Sequence, residues 1–314
     1  MILSRRHALL AGAALPLAAP AILTARPAPA QEAVAPQGAQ APTPFHRFRL
    51  GGFEVTTLLA GTRTVDDDPQ GTFGMNVPAE EFAAASAAAF IPADRAQFFF
   101  TPTLVNTGAE LVLFDAGLAP EGITGALAAA GVAPDQVTRV VLTHMHPDHI
   151  GGLMTGGAPT FPNAQYVTGA VEFDHWAGQA NEGFEANVRP LADRMTRIDE
   201  GSEAAPGITA QAAFGHTPGH MAYQIESDGR RLMLTADTAN HYVWSLAHPD
   251  WEVRFDADKA AAAATRRAVF GEIAADRVPF VGYHMPFPSV GYVEAAGDGF
   301  RYVPATYQTL LGTL

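Results

Sequence analysis

The sequence predicts an α+β protein in which two similar layers pack sheet against sheet. Three observations carry that expectation. Each half of the chain runs short strand-like segments and then helical ones. With 314 residues, 48% of them hydrophobic, the chain can bury a sizeable core. The residues with metal-binding chemistry fall where strand-like segments stop, and a strand end is rigid enough to hold such a set in place.

Taken in order, residues 45–50 and 53–59 are strand-like runs across Gly51-Gly52 and read as a hairpin. Residues 62–76, rich in Asp, Gly and Thr, read as a loop placed to overhang a site. Pro78 opens a helix over 78–90, with Glu80 and Glu81 in its first turn. Residues 98–106 and 111–114 form a second hairpin around Thr107-Gly108, ending at Asp115-Ala116-Gly117. A helix over 121–130 is closed by Gly131, and a strand over 137–143 follows. Beyond it lie a strand at 165–168 and helices at 171–177, carrying His175 and Trp176, and at 184–195. A strand at 208–214 leads into His216-Thr217-Pro218-Gly219-His220. Residues 223–226 and 231–235 pair across Asp228-Gly229 and end at Ala236-Asp237. The longest helix spans 256–275 and is alanine-rich. A short strand at 279–282 ends at Tyr283-His284, and the remainder is loop with a last strand near 300–303. No internal repeat recurs at a fixed spacing.

The chain is organised around Thr143-His144-Met145-His146-Pro147-Asp148-His149-Ile150-Gly151-Gly152, delivered by the apolar run Val140-Val141-Leu142. His144, His146, Asp148 and His149 lie within six positions, and a compact turn leaving a strand can aim them at one point. Neutral imidazole and carboxylate are what a borderline divalent cation takes when no thiolate is offered. So many donors so close together suggest two metals rather than one. Asp237 and His284 also follow strand-like runs, and His220 lies in a turn between two of them.

Composition narrows the function. The chain has no cysteine, which removes disulfides, thiolate metal sites and a cysteine nucleophile, and suits an oxidising compartment. Its formal charge of −13, with Lys259 the sole lysine, argues against a nucleic-acid partner. Residues 1–30 read as a cleavable export signal: Arg5-Arg6 precede a small-residue apolar run, and Ala28-Pro29-Ala30 offers a cleavage site. The paired arginines are similar to a twin-arginine (Tat) signal, which implies a periplasmic or secreted protein. Pro16 and Pro20 interrupt the short run, so no stable membrane span is expected once it is removed. Removing it takes away Arg5, Arg6 and Arg26 and no acid, moving the formal charge from −13 to −16. Residues 31–44 read as a disordered leader, and 45–314 as one catalytic domain.

Asp115-Ala116-Gly117, the 143–152 motif, Thr217-Pro218-Gly219-His220, Asp237 and His284 come in an order that resembles the metallo-β-lactamase superfamily, over essentially everything from Phe45 on. The resemblance implies an αββα sandwich of two mixed β-sheets flanked by helices, with a two-metal site along one sheet edge. By position it implies that His144, His146 and His220 hold one metal, that Asp148, His149 and His284 hold the other, and that Asp237 bridges them. Asp115 matches a position that supports the metal-bound imidazoles by hydrogen bonding. The implied ions are zinc first, with manganese, iron or cobalt as alternatives.

Shorter matches resemble the exported methyl parathion hydrolase and lactonase-arylesterase branch: Phe53-Glu54-Val55-Thr56, Asn187-Val188-Arg189-Pro190-Leu191 and Pro286-Phe287-Pro288-Ser289-Val290-Gly291-Tyr292-Val293. That branch implies a homodimer. It places a pocket aromatic about where Trp176 falls and another where Leu118 stands; Phe287 is a third candidate for the pocket. The expected activity is hydrolysis of an apolar lactone or aryl ester, with phosphotriesters as a further class, by a metal-bridging hydroxide. Asp148 and Asp237 are the candidate catalytic carboxylates. His216 reads as a local turn residue, and His241 and His248 as surface histidines. Two alternatives share the ligands: a mononuclear iron dioxygenase of the persulfide type, and a glyoxalase II-type thioesterase, which export disfavours. Asp237 as a bridging ligand separates the chain from true β-lactamases.

Overall fold

The computed structural model describes residues 43–312 and 314; the expected export signal and nearly all of the leader lie outside the described residues. From the N-terminal side run β1 (Phe45–Leu50), β2 (Phe53–Leu58) and β3 (Gly61–Val65), then α1 (Ala79–Ala88), β4 (Ala96–Phe100), β5 (Thr103–Asn106) and β6 (Leu111–Phe114). Next come α2 (Pro120–Ala129), β7 (Arg139–Leu142) and a single helical turn, α3 (Pro147–Ile150). A small ribbon of β8 (Met154–Thr155) and β9 (Ala158–Pro159) precedes β10 (Gln165–Gly169), α4 (Ala170–Ala177), α5 (Glu182–Asn187) and β11 (Met195–Ile198). The second half holds β12 (Glu203–Ala205), β13 (Ile208–Ala212), β14 (Met221–Ser227), β15 (Arg230–Ala236), α6 (Lys259–Asp276) and β16 (Phe280–Gly282). It closes with β17 (Val290–Ala296), β18 (Gly299–Pro304) and α7 (Gln308–Leu311).

Two seven-stranded mixed sheets result, ordered β1-β2-β5-β6-β7-β10-β11 and β12-β13-β14-β15-β16-β17-β18. In the first, β6, β7, β10 and β11 are parallel, because helices cross over between them. In the second only β15 and β16 are parallel, joined through α6. Period-two alternation divides the side chains. On β7, Val141 faces the inter-sheet core with Val112, Tyr223 and Leu234, while Val140 and Leu142 face outward onto Ile123, Leu127 and Phe173. On the far side α6 packs Val269, Phe270 and Ile273 against Met233, Phe280 and Tyr302. This is the αββα sandwich. Among the described residues no helix is long and apolar enough to cross a membrane.

The expected elements recur with several differences. The helix expected over 184–195 ends at Asn187, because Pro190 cannot continue its hydrogen bonding, and β11 begins at Met195 beside β10. Residues 61–65 form a strand where a loop was expected from residue 62: Thr62, Thr64 and Val65 are β-branched, but the run shows no apolar alternation, and it is pairing with β4 that makes it a strand. The segment expected as one strand over 98–106 breaks at Thr101-Pro102, so β4 pairs with β3 in a separate two-stranded ribbon and β5 belongs to the first sheet. β17 lies in a stretch read as loop, pairing with β18 from Gly291↔Pro304 to Ala296↔Gly299. Strand ends concentrate the chemistry. β6, β7, β15 and β16 stop just before Asp115, His144, Asp237 and His284. Asp115 and Ala236 take φ of 61° and 44° there, strained values for residues with a Cβ.

Candidate metal centre

Pro147 opens α3 immediately after His146, and that single turn swings Asp148 and His149 to one side of the β7 axis. The turn fits only because residues 151 and 152 are glycines. A Cβ on Gly151 would meet the Leu118 carbonyl oxygen at 2.1 Å, and one on Gly152 the Ala116 oxygen at 2.0 Å. Asp115, buried beneath, accepts from Thr143 N–H at 2.9 Å, the Thr143 hydroxyl at 2.8 Å and His149 Nδ1 at 2.8 Å. Since the Thr143 proton goes to Asp115, its oxygen is left to accept from His144 Nδ1, 3.1 Å away, and His144 Nε2 keeps its lone pair toward the cluster.

The donors gather in two groups, each with ligand atoms within 4.8 Å of one another: His144, His146, His216 and Asp237, and Asp148, His149, Asp237 and His284. Asp237 belongs to both. In the first group His144 Nε2 and His216 Nε2 lie 3.0 Å and 2.9 Å from His146 Nδ1. In the second, His284 Nε2 lies 3.1 Å from Asp237 Oδ2 and 3.3 Å from Asp148 Oδ2. His149 Nε2 lies 3.1 Å from Asp237 Oδ1, yet both atoms are buried without a hydrogen bond. Three imidazole nitrogens converging on one point, beside a buried nitrogen and oxygen left unbonded, is a donor set that fits two divalent cations.

The expectation placed His220 in the first group, and the structure puts His216 there instead. His216 Nδ1 is 2.9 Å from Asp256 Oδ1, which leaves Nε2 facing the cluster. His220 is fully buried with both nitrogens engaged by backbone: Nδ1 donates to the Ala213 carbonyl at 3.1 Å, and Nε2 accepts from Asp237 N–H at 3.1 Å. It braces the Asp237 backbone and has no free lone pair.

Electrostatics separate the two groups. Burial first, then His216, pushes His146 down to about 3. Burial first, then His149, keeps His144 well below its usual range. These rings are neutral ligands. For His284 burial works against the cation, but Asp237 and Asp148 outweigh it and hold the group up to about 10. His149 is likewise raised despite burial, by Asp237, Asp115 and Asp148. Burial would raise Asp237, but His284 and His149 hold it well below the carboxylate range. In the second group protons balance the carboxylates, and a divalent cation would replace them.

Several supporting residues carried no signal in the sequence. Glu172, fully buried at the start of α4, accepts from Met145 N–H (2.9 Å), Trp176 Nε1 (2.6 Å), the Thr217 hydroxyl (2.7 Å) and Gly219 N–H (3.0 Å). One carboxylate thus ties the 143–149 turn to the 216–220 turn. Asp256 Oδ2 takes the buried Arg266 guanidinium at 2.8 Å, making a chain from α6 to His216. Asn240 Nδ2 donates to Asp237 Oδ2 at 2.9 Å. His284 Nδ1 donates to the Phe99 carbonyl on β4 at 2.8 Å, and the Tyr283 hydroxyl to the Asp148 carbonyl.

The centre floors a cavity of about 360 Å³. Leu118 lines it as expected, with Val65, Phe73, Phe98, Phe100 and Phe255. Trp176 and Phe287 do not. Trp176 packs into the outer core and holds Glu172, with its ring centroid 5.9 Å from His146. His241 is buried rather than on the surface, stacked on Trp244 at 4.0 Å, and half-buried His248 stacks on Trp251 at 4.0 Å.

The family model of the metallo-beta-lactamase superfamily matches residues 101–279, more than half of the chain. The chain belongs to the metallo-beta-lactamase superfamily. It is 34% identical to human metallo-beta-lactamase domain-containing protein 1 over 131 residues, covering 40% of this chain and 41% of that protein. It is 30% identical to an N-acyl homoserine lactonase from a Bacillus species over 119 residues, covering 37% and 44%. The chain thus spans less than half the length of these relatives. Two solved structures share the fold over nearly their full length. AidC, described as a dizinc quorum-quenching lactonase, has a TM-score of 0.76 at 24% identity, covering 83% of this chain and 97% of its own. The hydrolase AbOPH has a TM-score of 0.78 at 24% identity, covering 85% and 99%.

Proposed function

We propose that this superfamily member is an exported, two-metal hydrolase that opens compact lactones or cleaves aryl esters. The observation that carries the reading is the pair of four-residue donor groups sharing Asp237 at the floor of an apolar cavity. The ligands are His144, His146 and His216 on one side, Asp148, His149 and His284 on the other, and Asp237 between. Zinc suits an all-imidazole-and-carboxylate set. Names among the relatives, N-acyl homoserine lactonase and dizinc lactonase, favour lactones. Export rests on residues 1–30, and a homodimer on the likeness of short segments to the methyl parathion hydrolase and arylesterase branch.

Two bound divalent ions would lower the pKa of water toward neutrality and polarise a carbonyl oxygen. The protein's own residues do the rest. Phe98, Phe100, Phe255 and Leu118 bury the acyl or aryl group and exclude bulk water. Asp148, a partly exposed carboxylate lining the cavity, takes the proton released as water attacks the carbonyl carbon. It returns that proton to the leaving oxygen as the C–O bond breaks, so a lactone yields a hydroxy acid and an aryl ester yields an acid and a phenol. Asn240 and His220 hold Asp237 from the side chain and from the backbone.

The test is turnover of an aryl lactone and a dialkyl aryl phosphotriester by the metal-loaded protein, with metal content measured and Asp237→Ala as control. Lactone turnover well above triester turnover, abolished in the variant, is the expected result. A dominant triester rate moves the protein to the organophosphate hydrolases. No cleavage of either by protein holding two ions per chain overturns the reading.

A further inference from the structure

The β3–β4 ribbon divides two cavities. Its cross-strand pairs are Gly61↔Phe100, Arg63↔Phe98 and Val65↔Ala96 on one face, with Thr62↔Phe99 and Thr64↔Gln97 on the other. Arg63, Val65, Ala96, Phe98 and Phe100 accordingly line the metal cavity, while Thr64, Gln97 and Phe99 line the space behind the ribbon. Arg63 therefore stands among apolar side chains on the metal side. Arg254 lines the same cavity from the segment before α6. Its backbone N–H donates to the Thr72 carbonyl at 2.8 Å, and its guanidinium lies 5.9 Å from the Phe255 ring. Both arginines are exposed, at the rim.

Neither forms an ion pair among the described residues. Their cationic neighbours do: Arg95 faces Asp66, Arg266 faces Asp256 and Arg267 faces Asp250. The acids that follow β3 are engaged elsewhere. Asp66 takes Arg95, Asp67 accepts from Asp68 N–H at 2.9 Å, and Asp68 accepts from Gln70 N–H at 3.0 Å. Apart from the metal-ligand groups, the charged side chains lining the cavity are these two guanidinium ions. In a chain of formal charge −13 the general field repels anions, so a local reversal at the cavity mouth acts on something specific. A guanidinium presents a planar fork that matches a carboxylate.

We propose that Arg63 and Arg254 are specificity-determining residues that select esters or lactones carrying a carboxylate on the side of the molecule away from the scissile bond. The substrate this describes is compact and amphipathic: an apolar middle against Phe98, Phe100 and Phe255, the reacting carbonyl at the metal centre, and the anion at the rim. The inference rests on the hydrolase reading above, and it adds to the apolar lactone or ester of that reading an anionic group at its far end.

The test compares mono-4-nitrophenyl glutarate with 4-nitrophenyl valerate, near-isosteres that differ in the terminal carboxylate. With the metal-loaded protein at low salt, kcat/KM for the glutarate is expected to exceed that for the valerate by about tenfold, carried mainly by KM. The ratio is expected to shrink toward unity in about 0.5 M NaCl, because the rim is exposed to screening. It is expected to collapse in Arg63→Gln/Arg254→Gln and to be partly kept in Arg63→Lys/Arg254→Lys, which retains charge without the fork. A ratio at or below one in the wild type, or a ratio unmoved by the Gln pair, overturns the proposal. Should neither ester be cleaved, the aryl-ester part of the hydrolase reading fails on its own, and the lactone assay above decides the rest. The arginines are then judged by calorimetric binding of two amides that resist cleavage, glutaric acid monoanilide and pentananilide. A preference for the anilide acid that is lost in the Gln pair supports the proposal, and equal or undetectable binding of the two ends it.

Discussion

Replacing Glu172 by glutamine should loosen both ligand turns at once. The wild-type Oε1 accepts from Met145 N–H and Trp176 Nε1, and Oε2 from the Thr217 hydroxyl and Gly219 N–H. All four partners are donors, and the carboxylate is fully buried. A glutamine can keep its oxygen toward one pair only. Turned toward Met145 and Trp176, its NH2 group meets Thr217, whose hydroxyl can rotate to accept, and Gly219 N–H, which cannot. One buried donor is then orphaned at about 1–3 kcal/mol, and the other contacts lose their charge assistance at a few tenths each. The sum is roughly 2–4 kcal/mol, a large share of the 5–15 kcal/mol that holds a typical domain together. Urea unfolding of the metal-free proteins reads the loss, and equilibrium dialysis reads zinc affinity, expected to fall about 10–100-fold because the turns carrying His144, His146 and His216 are held through this one group. Thr217→Val in the same background closes a double-mutant cycle with an expected coupling of about 1 kcal/mol. An E172Q protein within about 0.5 kcal/mol of wild type, with unchanged zinc affinity, would refute the clamp.

His216→Ala is expected to bind about one zinc fewer per chain than wild type, whereas His220→Ala keeps its zinc and loses roughly 2–4 kcal/mol from orphaned backbone groups. The reverse pattern, read by metal analysis and denaturation, would restore His220 as the ligand. Asp256→Asn leaves Arg266 buried without a counter-charge, with an expected cost of about 3–5 kcal/mol that Asp256→Asn/Arg266→Met recovers in part. A single-variant loss below about 1 kcal/mol would show the pair to be idle. His241 is pushed down from 6.5 to about 3, by burial first and then by His284. Its folded pKa is depressed, so the unfolded chain takes up the proton first. The contribution is complete above pH 6.5 and is lost as pH falls toward 3. Between pH 6.5 and 4 the metal-free wild type should lose about 3 kcal/mol more than His241→Asn; parallel pH profiles would mean that His241 titrates freely.

Local pattern carried some parts of this protein and not others. Strand β7 was legible because Val140-Val141-Leu142 is short, branched and apolar, and the turn after it because Pro147 and Gly151-Gly152 have no other economical reading. β3 was not, since Gly61–Val65 becomes a strand only when β4 pairs with it, and that pairing creates the wall that brings Arg63 into the cavity. β17 was hidden behind the proline-rich stretch before it. His216 and His220 are the same residue type four positions apart in one turn. What separates them is that one meets Asp256, 40 positions on, and the other meets the Ala213 carbonyl. Glu172 looks like any acid near a helix start until the fold brings Gly219, 47 positions on, against it; a Cβ on Gly219 would meet Glu172 N at 2.1 Å.

The sequence by itself determined the donor chemistry, imidazole and carboxylate without thiol, and the strand-end turns that present it. Those are properties of residue type and short-range spacing. Tertiary structure alone decided which of two histidines faces the cluster, which buried carboxylates steady it, and which aromatic and cationic side chains wall the cavity. Each of those depends on contacts between residues far apart in the chain, and sheet register and layer packing set such contacts, not local propensity.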